Sequence, residues 1–305
     1  MRPLTKRIGL GLGALVGLLV LAVAVLYAVG RARATGVRDL DVPLVAASAD
    51  PAAVARGAHL ARTLGCTDCH GGRLEGRLFE DIPLGRIVAP NLTRGAGGVG
   101  QRYRDGDWDR AVRFSARPDG TTILPFMPSR LYHDLDDADV AALVAYLERL
   151  PPVDHVQTPT RLRLPGYLAV ALADPDELWP DRLPRRPAAP PAGPTAAYGA
   201  YLAATRCVGC HGPGLRGGRH PAPEAPPAPD LAPVGQAPFD AFAQTVRSGV
   251  TPDGRRLSEW MPLPPLQSMT DDELRALHLH FQSLPPVPGP QTGTDRAAGS
   301  SHDER

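Results

Sequence analysis

Two pentapeptides, CTDCH at residues 66–70 and CVGCH at residues 207–211, decide how the whole chain is interpreted. They contain all four cysteines of the 305-residue sequence, and each ends in a histidine. Cys-x-x-Cys-His is the attachment signature of c-type haem. Two cysteines in one helical turn project to the same side, where each thiol can form a thioether with a haem vinyl group. The adjoining histidine can then ligate the iron from the proximal side. The predicted attachment residues are Cys66, Cys69, Cys207 and Cys210, and the predicted proximal ligands are His70 and His211.

Three other interpretations use the same cysteines. Two Cys-x-x-Cys pairs could together hold zinc or an iron–sulfur cluster, but such a site does not require a histidine after both pairs. A thioredoxin-like dithiol motif is expected among alternating strands and helices, and the sequence shows no such alternation. Disulfide bonds would account for the cysteines outside the cytoplasm, but not for the histidines. Two covalently bound haem c groups explain both residue types.

Each motif belongs to one unit of an internal repeat. The segment LDDADVAALVAYLERLPPV at residues 135–153 aligns without gaps on MTDDELRALHLHFQSLPPV at 269–287, and each predicts a helix that stops at Pro-Pro. Upstream, GAHLA at 57–61 matches GAYLA at 199–203, shortly before each cysteine pair. Each unit therefore predicts a helix, the cysteine motif, a variable loop and a final helix, without a convincing strand pattern.

The start signals of the two final helices also correspond. Asp136 and Thr270 occupy N-cap positions, and Asp139 and Glu273 follow three residues later, as in a capping box. Apolar spacing of three and four residues predicts one buried face for each helix. The predicted faces are Leu143, Tyr146, Leu147 and Leu150, and Leu277, His280, Phe281 and Leu284.

Two of the four methionines stand at equivalent places in the repeat, each directly before a proline: Met127 and Met261. A lone methionine is usually a core residue. A thioether that recurs at the same position suits haem iron as its sixth ligand, so we predict Met127 and Met261 as the distal ligands. Met269 aligns with Leu135 and is predicted to lie in the core.

The other histidines give little indication of a role as haem ligands. His59 aligns with Tyr201, and His280 aligns with Tyr146, which indicates ordinary packing positions. The rest have no counterpart in the other unit and are expected to be packed or solvated. They are His133, His155, His220, His278 and His302.

The N-terminal stretch IGLGLGALVGLLVLAVAVLYAVG, residues 8–30, carries no charge. As a helix it would be about 34 Å long, enough to cross a hydrocarbon core of about 30 Å. Ala32-Arg33-Ala34 resembles a cleavage site, but the apolar region of a cleaved signal peptide is only about 7–15 residues long. An uncleaved membrane anchor is favoured over a cleaved signal and over a buried helix.

Charge does not decide the orientation of this anchor, because basic residues flank both of its ends. The haem chemistry instead predicts an anchor in the inner membrane, with the haem domains facing the periplasm or the cell exterior. The net charge of +1 comes from 33 basic and 32 acidic residues without a clustered basic stripe, so a nucleic-acid partner is not expected. An aromatic content of 5% would leave small cores short of apolar surface, which a buried cofactor would relieve.

The sequence resembles diheme and multihaem class I cytochromes c, especially the cytochrome subunits of membrane-bound bacterial alcohol, aldehyde and gluconate dehydrogenases. The resemblance covers most of residues 52–153 and, more loosely, 195–287. It rests on Arg56-Gly57-Ala58, Ala89-Pro90-Asn91-Leu92-Thr93, Trp108 with Arg110-Ala111-Val112-Arg113, Pro125-Phe126-Met127-Pro128, and YLERLPPV at 146–153.

The resemblance implies helices wrapped around each haem, with the first and last helices of each domain crossing. It also implies a carrier that passes electrons from a dehydrogenase toward quinone, a terminal oxidase or another cytochrome, without catalytic residues of its own. The dehydrogenase subunits of this group look like three-haem proteins, whereas this chain has two attachment motifs.

The predicted fold class is therefore all-α, with an N-terminal transmembrane helix followed by two tandem cytochrome c-like helical domains. The predicted segments are an anchor at 1–34, a tether at 35–50, domain 1 at 51–153, a Pro-rich linker at 154–194, domain 2 at 195–287 and a disordered tail at 288–305.

A diheme peroxidase is the main alternative function. Such an enzyme keeps one haem open on its distal side and needs an acid or base near the vacant position. Both repeats retain Met-Pro, which favours the electron carrier. A small-ligand sensor with a displaceable methionine is a third alternative.

Overall fold

The computed structural model describes residues 2–104, 106–184, 188–220 and 224–285. Half of the chain is helical. The helices before residue 150 are α1 (Arg2–Thr35), α2 (Pro51–Thr63), α3 (Cys66–His70), α4 (Asp107–Phe114), α5 (Ser129–Tyr132) and α6 (Asp137–Leu147). The later helices are α7 (Leu164–Leu172), α8 (Pro175–Leu178), α9 (Ala196–Arg206), α10 (Val208–His211), α11 (Phe239–Ser248), α12 (Leu263–Gln267) and α13 (Asp271–Ser283). Short 3-10 helices lie at Val99–Gln101, Pro180–Arg182 and Ala232–Gln236.

The first and last helices of each repeat pack against each other, α2 against α6 and α9 against α13. Both crossings depend on a glycine at the same repeat position. A Cβ atom on Gly57 would lie 2.0 Å from the carbonyl oxygen of Ala142, and one on Gly199 would lie 1.9 Å from that of Ala276. Only a residue without a side chain allows such close backbone approach. The structure thus has the helix crossing that the resemblance implies.

Local sequence signals define where these helices begin. Asp50 caps α2 ahead of Pro51, and Asp136 caps α6 by accepting a hydrogen bond from the Ala138 amide at 2.9 Å. Thr270 and Glu273 form the predicted capping box of α13. The predicted apolar faces enter two separate cores, except for His280, which is half-buried and outside the second core. Met269 is confirmed as a core residue, with 2% of its surface exposed.

A three-stranded antiparallel sheet corrects the all-α prediction. Its strands are β1 (Arg77–Ile82), β2 (Gly85–Ala89) and β3 (Arg161–Leu162), in the order β1-β2-β3. β1 is largely exposed, and a shift of register interrupts its pairing with β2 between Leu78 and Glu80. A strand of this kind does not need the period-2 alternation of apolar residues that identifies a half-buried strand. The chain is therefore mostly helical with one small sheet.

The segments around domain 1 are more ordered than a tether and a linker. Within 35–50, the amide of Arg38 donates to the Gly120 carbonyl at 2.9 Å, and the amide of Val45 donates to the Asp109 carboxylate at 2.7 Å. Residues 154–194 include β3, α7 and α8, with 185–187 outside the described residues. These contacts join residues that are distant in sequence, so local composition does not reveal them.

α1 is the one described helix long and apolar enough to cross a membrane, over Arg7–Thr35. It packs against α7. The predicted disordered tail at 288–305 lies outside the described residues.

The glycine contacts give a stability prediction. Gly57→Ala and Gly199→Ala should each lower the free energy of unfolding by about 1–3 kcal/mol, because the added methyl group overpacks a helix crossing. Thermal unfolding followed by circular dichroism measures the change. Gly214→Ala is the control, since its Cβ would meet nothing closer than 3.6 Å. Unchanged stability of both test variants would contradict the close crossing.

Candidate functional site

Each predicted attachment motif forms a short helix directly after the first long helix of its repeat. α3 carries the first motif, and α10 carries most of the second. The four cysteines are half-buried. His70 and His211 are buried. The two motifs thus present the same residue types in the same local structure.

One hydrogen bond orients each motif histidine. Nδ1 of His70 lies 2.8 Å from the Pro90 carbonyl oxygen, and Nδ1 of His211 lies 2.8 Å from that of Pro229. A carbonyl only accepts, so Nδ1 carries the proton and Nε2 keeps its lone pair. Burial lowers the pKa of His70, although the hydrogen bond to Pro90 opposes that effect. A neutral imidazole with a free Nε2 is the form that ligates a metal.

The loops that follow the two histidines close in the same way. The amide of Gly76 donates to the His70 carbonyl at 2.6 Å, and the amide of Gly217 donates to the His211 carbonyl at 3.0 Å. Pro90 belongs to the segment that carries the family resemblance, but the sequence does not predict its role as a hydrogen-bond acceptor. The sequence feature that could have indicated this role is the recurrence of the proline in the second repeat. Pro229 stands between Ala and Asp-Leu, much as Pro90 stands between Ala and Asn-Leu.

A cavity of about 770 Å³ opens beside α3. Its lining includes the first motif and the predicted distal ligand Met127, which lie far apart in sequence. The volume falls within the range of about 300–1,000 Å³ typical of ligand and cofactor sites. Most of the remaining lining is apolar or aromatic, including Phe79, Ile87, Val88, Leu92, Trp108, Val112, Phe126, Tyr132, Leu143 and Leu147.

The two predicted distal ligands lie in equivalent turns. The amide of Met127 donates to the Leu124 carbonyl at 3.1 Å, and that of Met261 donates to the Ser258 carbonyl at 2.9 Å. Both side chains are half-buried, and each packs against the core of its own repeat. The structure thus brings Met127 to the cavity that also holds His70.

The thiols do not resemble those of a redox-active dithiol. Burial raises the pKa of Cys66 and of Cys207, each to about 12, and it also raises the pKa of Cys69 and Cys210. A catalytic dithiol instead needs a lowered pKa and an accessible thiolate. The buried surroundings of the thiols therefore do not support the thioredoxin-like interpretation.

A shared zinc or iron–sulfur site is also unsupported. Within the described ranges, no three His, Cys, Asp or Glu residues come together as a metal cluster. The first cavity instead combines an apolar interior, two half-buried thiols, one imidazole with a free Nε2 and one thioether. This donor set fits a covalently attached haem with His/Met ligation.

Contacts between the two repeats come in symmetric pairs. His59 of α2 lies 2.9 Å from the carboxylate of Glu273 on α13. Its repeat counterpart Tyr201, on α9, donates to Asp139 on α6 at 2.7 Å, and Asp139 is the counterpart of Glu273. The prediction that His59 fills an ordinary packing position is therefore incomplete, because its ring joins the two repeats.

Both attachment motifs lie in this interface. A Cβ atom on Gly209, within the second motif, would lie 2.9 Å from Leu131 of the first repeat. One on Gly65, next to the first motif, would lie 3.3 Å from Pro265 of the second repeat. Leu131 and Pro265 each stand four residues after the predicted methionine ligand. The second motif, and the residue directly before the first motif, thus approach equivalent residues of the other repeat.

The remaining histidines differ in their surroundings. His278 is buried, and its Nε2 lies 2.8 Å from the Ala237 carbonyl oxygen. His155 is bound to the Glu75 carbonyl at 3.0 Å. The buried ring of His133 packs edge-on against Phe114, and His220 lies beside Trp260. These contacts agree with packed or surface side chains, while His302 lies outside the described residues.

Comparison with known proteins gives one family. A family model described as Cytochrome c matches residues 54–151 and 196–285, which together are more than half of the chain. The two matched regions correspond to the two repeats, and each includes one attachment motif and one Met-Pro turn.

The chain is also similar to several curated proteins. It is 31% identical over 145 residues to the fructose dehydrogenase cytochrome subunit of Gluconobacter japonicus, covering 45% of this chain and 30% of that protein. It is 38% identical over 103 residues to the cytochrome c subunit of a quinone alcohol dehydrogenase of Gluconacetobacter polyoxogenes, covering 32% of this chain and 22% of that protein. A diheme cytochrome c-type protein of Cereibacter sphaeroides is 29% identical over 123 residues, covering 36% of this chain and 40% of that protein. The chain thus spans less than half the length of these relatives.

The contact between Glu273 and His59 gives a pH-dependent prediction. Burial alone would raise the pKa of Glu273, but hydrogen bonds from His59 and from the Thr270 amide, with the nearby charge of Arg206, lower it below its ordinary 4.5. A lowered folded-state pKa contributes stability that is complete above the ordinary value and is lost as pH falls through the folded-state value.

We therefore expect Glu273→Gln to lower the free energy of unfolding by about 1–3 kcal/mol at neutral pH. Glutamine can still complete the capping box, so the loss reports the charged contact with His59. The difference from the unmodified chain should shrink below about pH 4, as measured by urea denaturation across pH. Asp272→Asn removes an exposed carboxylate from the same helical turn and is the control. An equal loss in the control would assign the effect to the helix terminus instead.

Proposed function

Because the chain belongs to the cytochrome c family, we propose that it is a membrane-anchored diheme electron carrier that performs no bond chemistry itself. The observation that carries this proposal is the duplication of one site: in each repeat, a Pro carbonyl orients the motif histidine at 2.8 Å. An enzyme that keeps one haem open for substrate would be expected to differ between its two sites.

We assign the cofactor contacts residue by residue. Two covalently bound haem c groups are attached in domain 1, residues 51–153, and in domain 2, residues 195–287. The thioether bonds are formed by Cys66 and Cys69, and by Cys207 and Cys210. The iron ligands are His70 and Met127 in domain 1, and His211 and Met261 in domain 2.

The bound haem supplies an iron that gains and loses one electron. The protein's own residues hold this site rigid. Pro90 and Pro229 hold the proton on Nδ1 of each histidine, which orients the ring. The apolar cavity lining excludes water, and thioether ligation raises the reduction potential relative to two imidazoles. A protein that changes little between redox states suits electron transfer.

Electrons cross between the domains inside the chain in this proposal. Leu131 of the first repeat approaches Gly209 of the second motif, and Pro265 of the second repeat approaches Gly65, directly before the first motif. The paired contacts of His59 with Glu273 and of Tyr201 with Asp139 hold the two repeats together. An interface that contains both motifs supports transfer between the two haems without a partner protein.

The names of the relatives support a dehydrogenase as electron donor. Two of the similar proteins are named as cytochrome subunits of fructose and alcohol dehydrogenases. We propose a comparable donor here and an oxidase or another cytochrome as acceptor. α1 would anchor the chain in the inner membrane, with both haem domains facing the periplasm.

Covalent attachment is tested by removing one cysteine of each motif. Cys69→Ala and Cys210→Ala should each halve the covalently bound haem, since one site of two loses a thioether bond and its stable product. Haem per polypeptide after acid extraction of free haem is the measurement. Unchanged haem content in either variant would refute the assignment of that motif.

Methionine ligation is tested in the same holoprotein. The oxidised chain should show the methionine-to-iron charge-transfer band at both haems, and Met127→Leu and Met261→Leu should each remove the contribution of one haem. Met269→Leu is the matched control, because that side chain lies in the core. High-spin ferric iron at one haem of the unmodified chain would favour the diheme peroxidase instead.

A further inference from the structure

Helix α7 presents an apolar surface that none of the described elements covers. Its nine residues, LPGYLAVAL, contain no charged side chain. Gly166, Val170 and Ala171 are buried against the protein, while Leu164 is 50% exposed and Leu172 is 73% exposed. Residues four apart share a helix face. The outer face of α7 therefore consists of Leu164, Pro165, Leu168, Ala169 and Leu172.

α7 is fixed beside the C-terminal half of α1. The rings of Tyr27 and Tyr167 pack edge-on with centroids 5.2 Å apart. A Cβ atom on Gly30 would lie 1.8 Å from the carbonyl oxygen of Tyr167, so the two backbones touch. The guanidinium of Arg33 donates to the carbonyls of Ala171 at 2.9 Å and Ala173 at 3.1 Å.

These contacts show that the two helices run in the same direction. Tyr27 pairs with Tyr167, and Arg33, further along α1, pairs with residues further along α7. With a rise of about 1.5 Å per residue along the helix axis, Leu164 then lies about 5–10 Å deeper in the membrane than Gly30, the last residue of the apolar stretch of α1. This is the depth at which interfacial helices bury their apolar face, about 5–10 Å into the membrane boundary.

A hairpin holds α7 on its other side. The amide of Arg163 donates to the Leu84 carbonyl at 2.9 Å, and its guanidinium pairs with Asp81 at 2.8 Å. Leu84 lies in the turn between β1 and β2, and Phe79, Ile87 and Val88 of the same hairpin line the first cavity. The outer face of α7 is thus rigidly connected to the cofactor site of domain 1.

We propose that the outer face of α7 lies in the lipid bilayer beside α1, as a second membrane contact that fixes the orientation of domain 1. This inference rests on the proposed membrane anchor. Lipid is the occupant because the surface continues the apolar surface of α1 and contains no polar group from Leu164 to Leu172, where it is bordered at the Leu164 end by the exposed pair of Arg163 and Asp81. Trp179 and Arg33 lie at its outer end, with the guanidinium 5.6 Å from the Trp179 ring, and such aromatic and basic residues mark membrane interfaces.

The test uses the full-length holoprotein in vesicles of phosphatidylethanolamine and phosphatidylglycerol. Single substitutions Leu164→Cys, Leu172→Cys, Val156→Cys and Leu19→Cys report accessibility to a membrane-impermeant maleimide supplied on both sides of the bilayer. The holoprotein without an introduced cysteine measures the background. Val156, three residues after the end of domain 1, is 75% exposed and is the matched aqueous control.

We expect Leu164→Cys to react about tenfold or more slowly than Val156→Cys, because a thiol in an apolar environment has a raised pKa. Leu172→Cys should react at an intermediate rate, since α7 rises toward the headgroups at that end. Equal rates at Val156, Leu164 and Leu172, with Leu19→Cys protected, would overturn the second contact and leave the anchor intact. Reaction of Leu19→Cys at the aqueous rate would overturn the anchor itself.

Discussion

The position of the motif histidine constrains most of the structure around each site. Its imidazole must be neutral, fixed and directed into an apolar cavity, so Nδ1 needs a buried acceptor that cannot donate. Pro90 and Pro229 supply that acceptor at 2.8 Å. The proline carbonyl reaches the ring only because the loop after each histidine folds back, with amide bonds from Gly76 and Gly217 to the two histidine carbonyls. In the first repeat, the helix crossing at Gly57 then brings α6 to the cavity, where Leu143 and Leu147 contribute to the lining.

Duplication of one unit explains the interface between the domains. The same two repeat positions contact each other in both directions. His59 of the first repeat contacts Glu273 of the second, and Tyr201 of the second repeat contacts Asp139 of the first. Such pairing is typical of a two-fold dimer interface, here formed within a single chain. The chemistry of the two contacts differs, because a histidine in one unit is a tyrosine in the other. Burial and the Asp139 carboxylate raise the pKa of Tyr201, so the Tyr201 hydroxyl keeps the proton that it donates. The contact between Glu273 and His59 instead weakens in acid.

Domain 1 differs from domain 2 through the elements added around it. The hairpin β1–β2, strand β3 and helix α7 come from a variable loop and from residues 154–194, and they connect the first cavity to the anchor helix. In the proposed arrangement, α7 and the hairpin hold domain 1 next to the membrane. A fixed orientation would present the same surface of each domain to its redox partners in every molecule.

The sequence by itself determined the parts that depend on local chemistry. Cys-x-x-Cys-His, Met-Pro, the N-caps at Asp136 and Thr270 and the apolar span at 8–30 are short-range signals, and all of them except the span recur in both repeats. It did not reveal β1, whose exposed residues carry no alternation, or the acceptor role of Pro90, which lies 20 residues from His70 in the chain. Nor did it reveal that His59 contacts Glu273 or that α7 packs on α1. Only the tertiary structure decided these features, because each is a contact between residues distant in sequence, where packing and buried hydrogen bonds outweigh local preference.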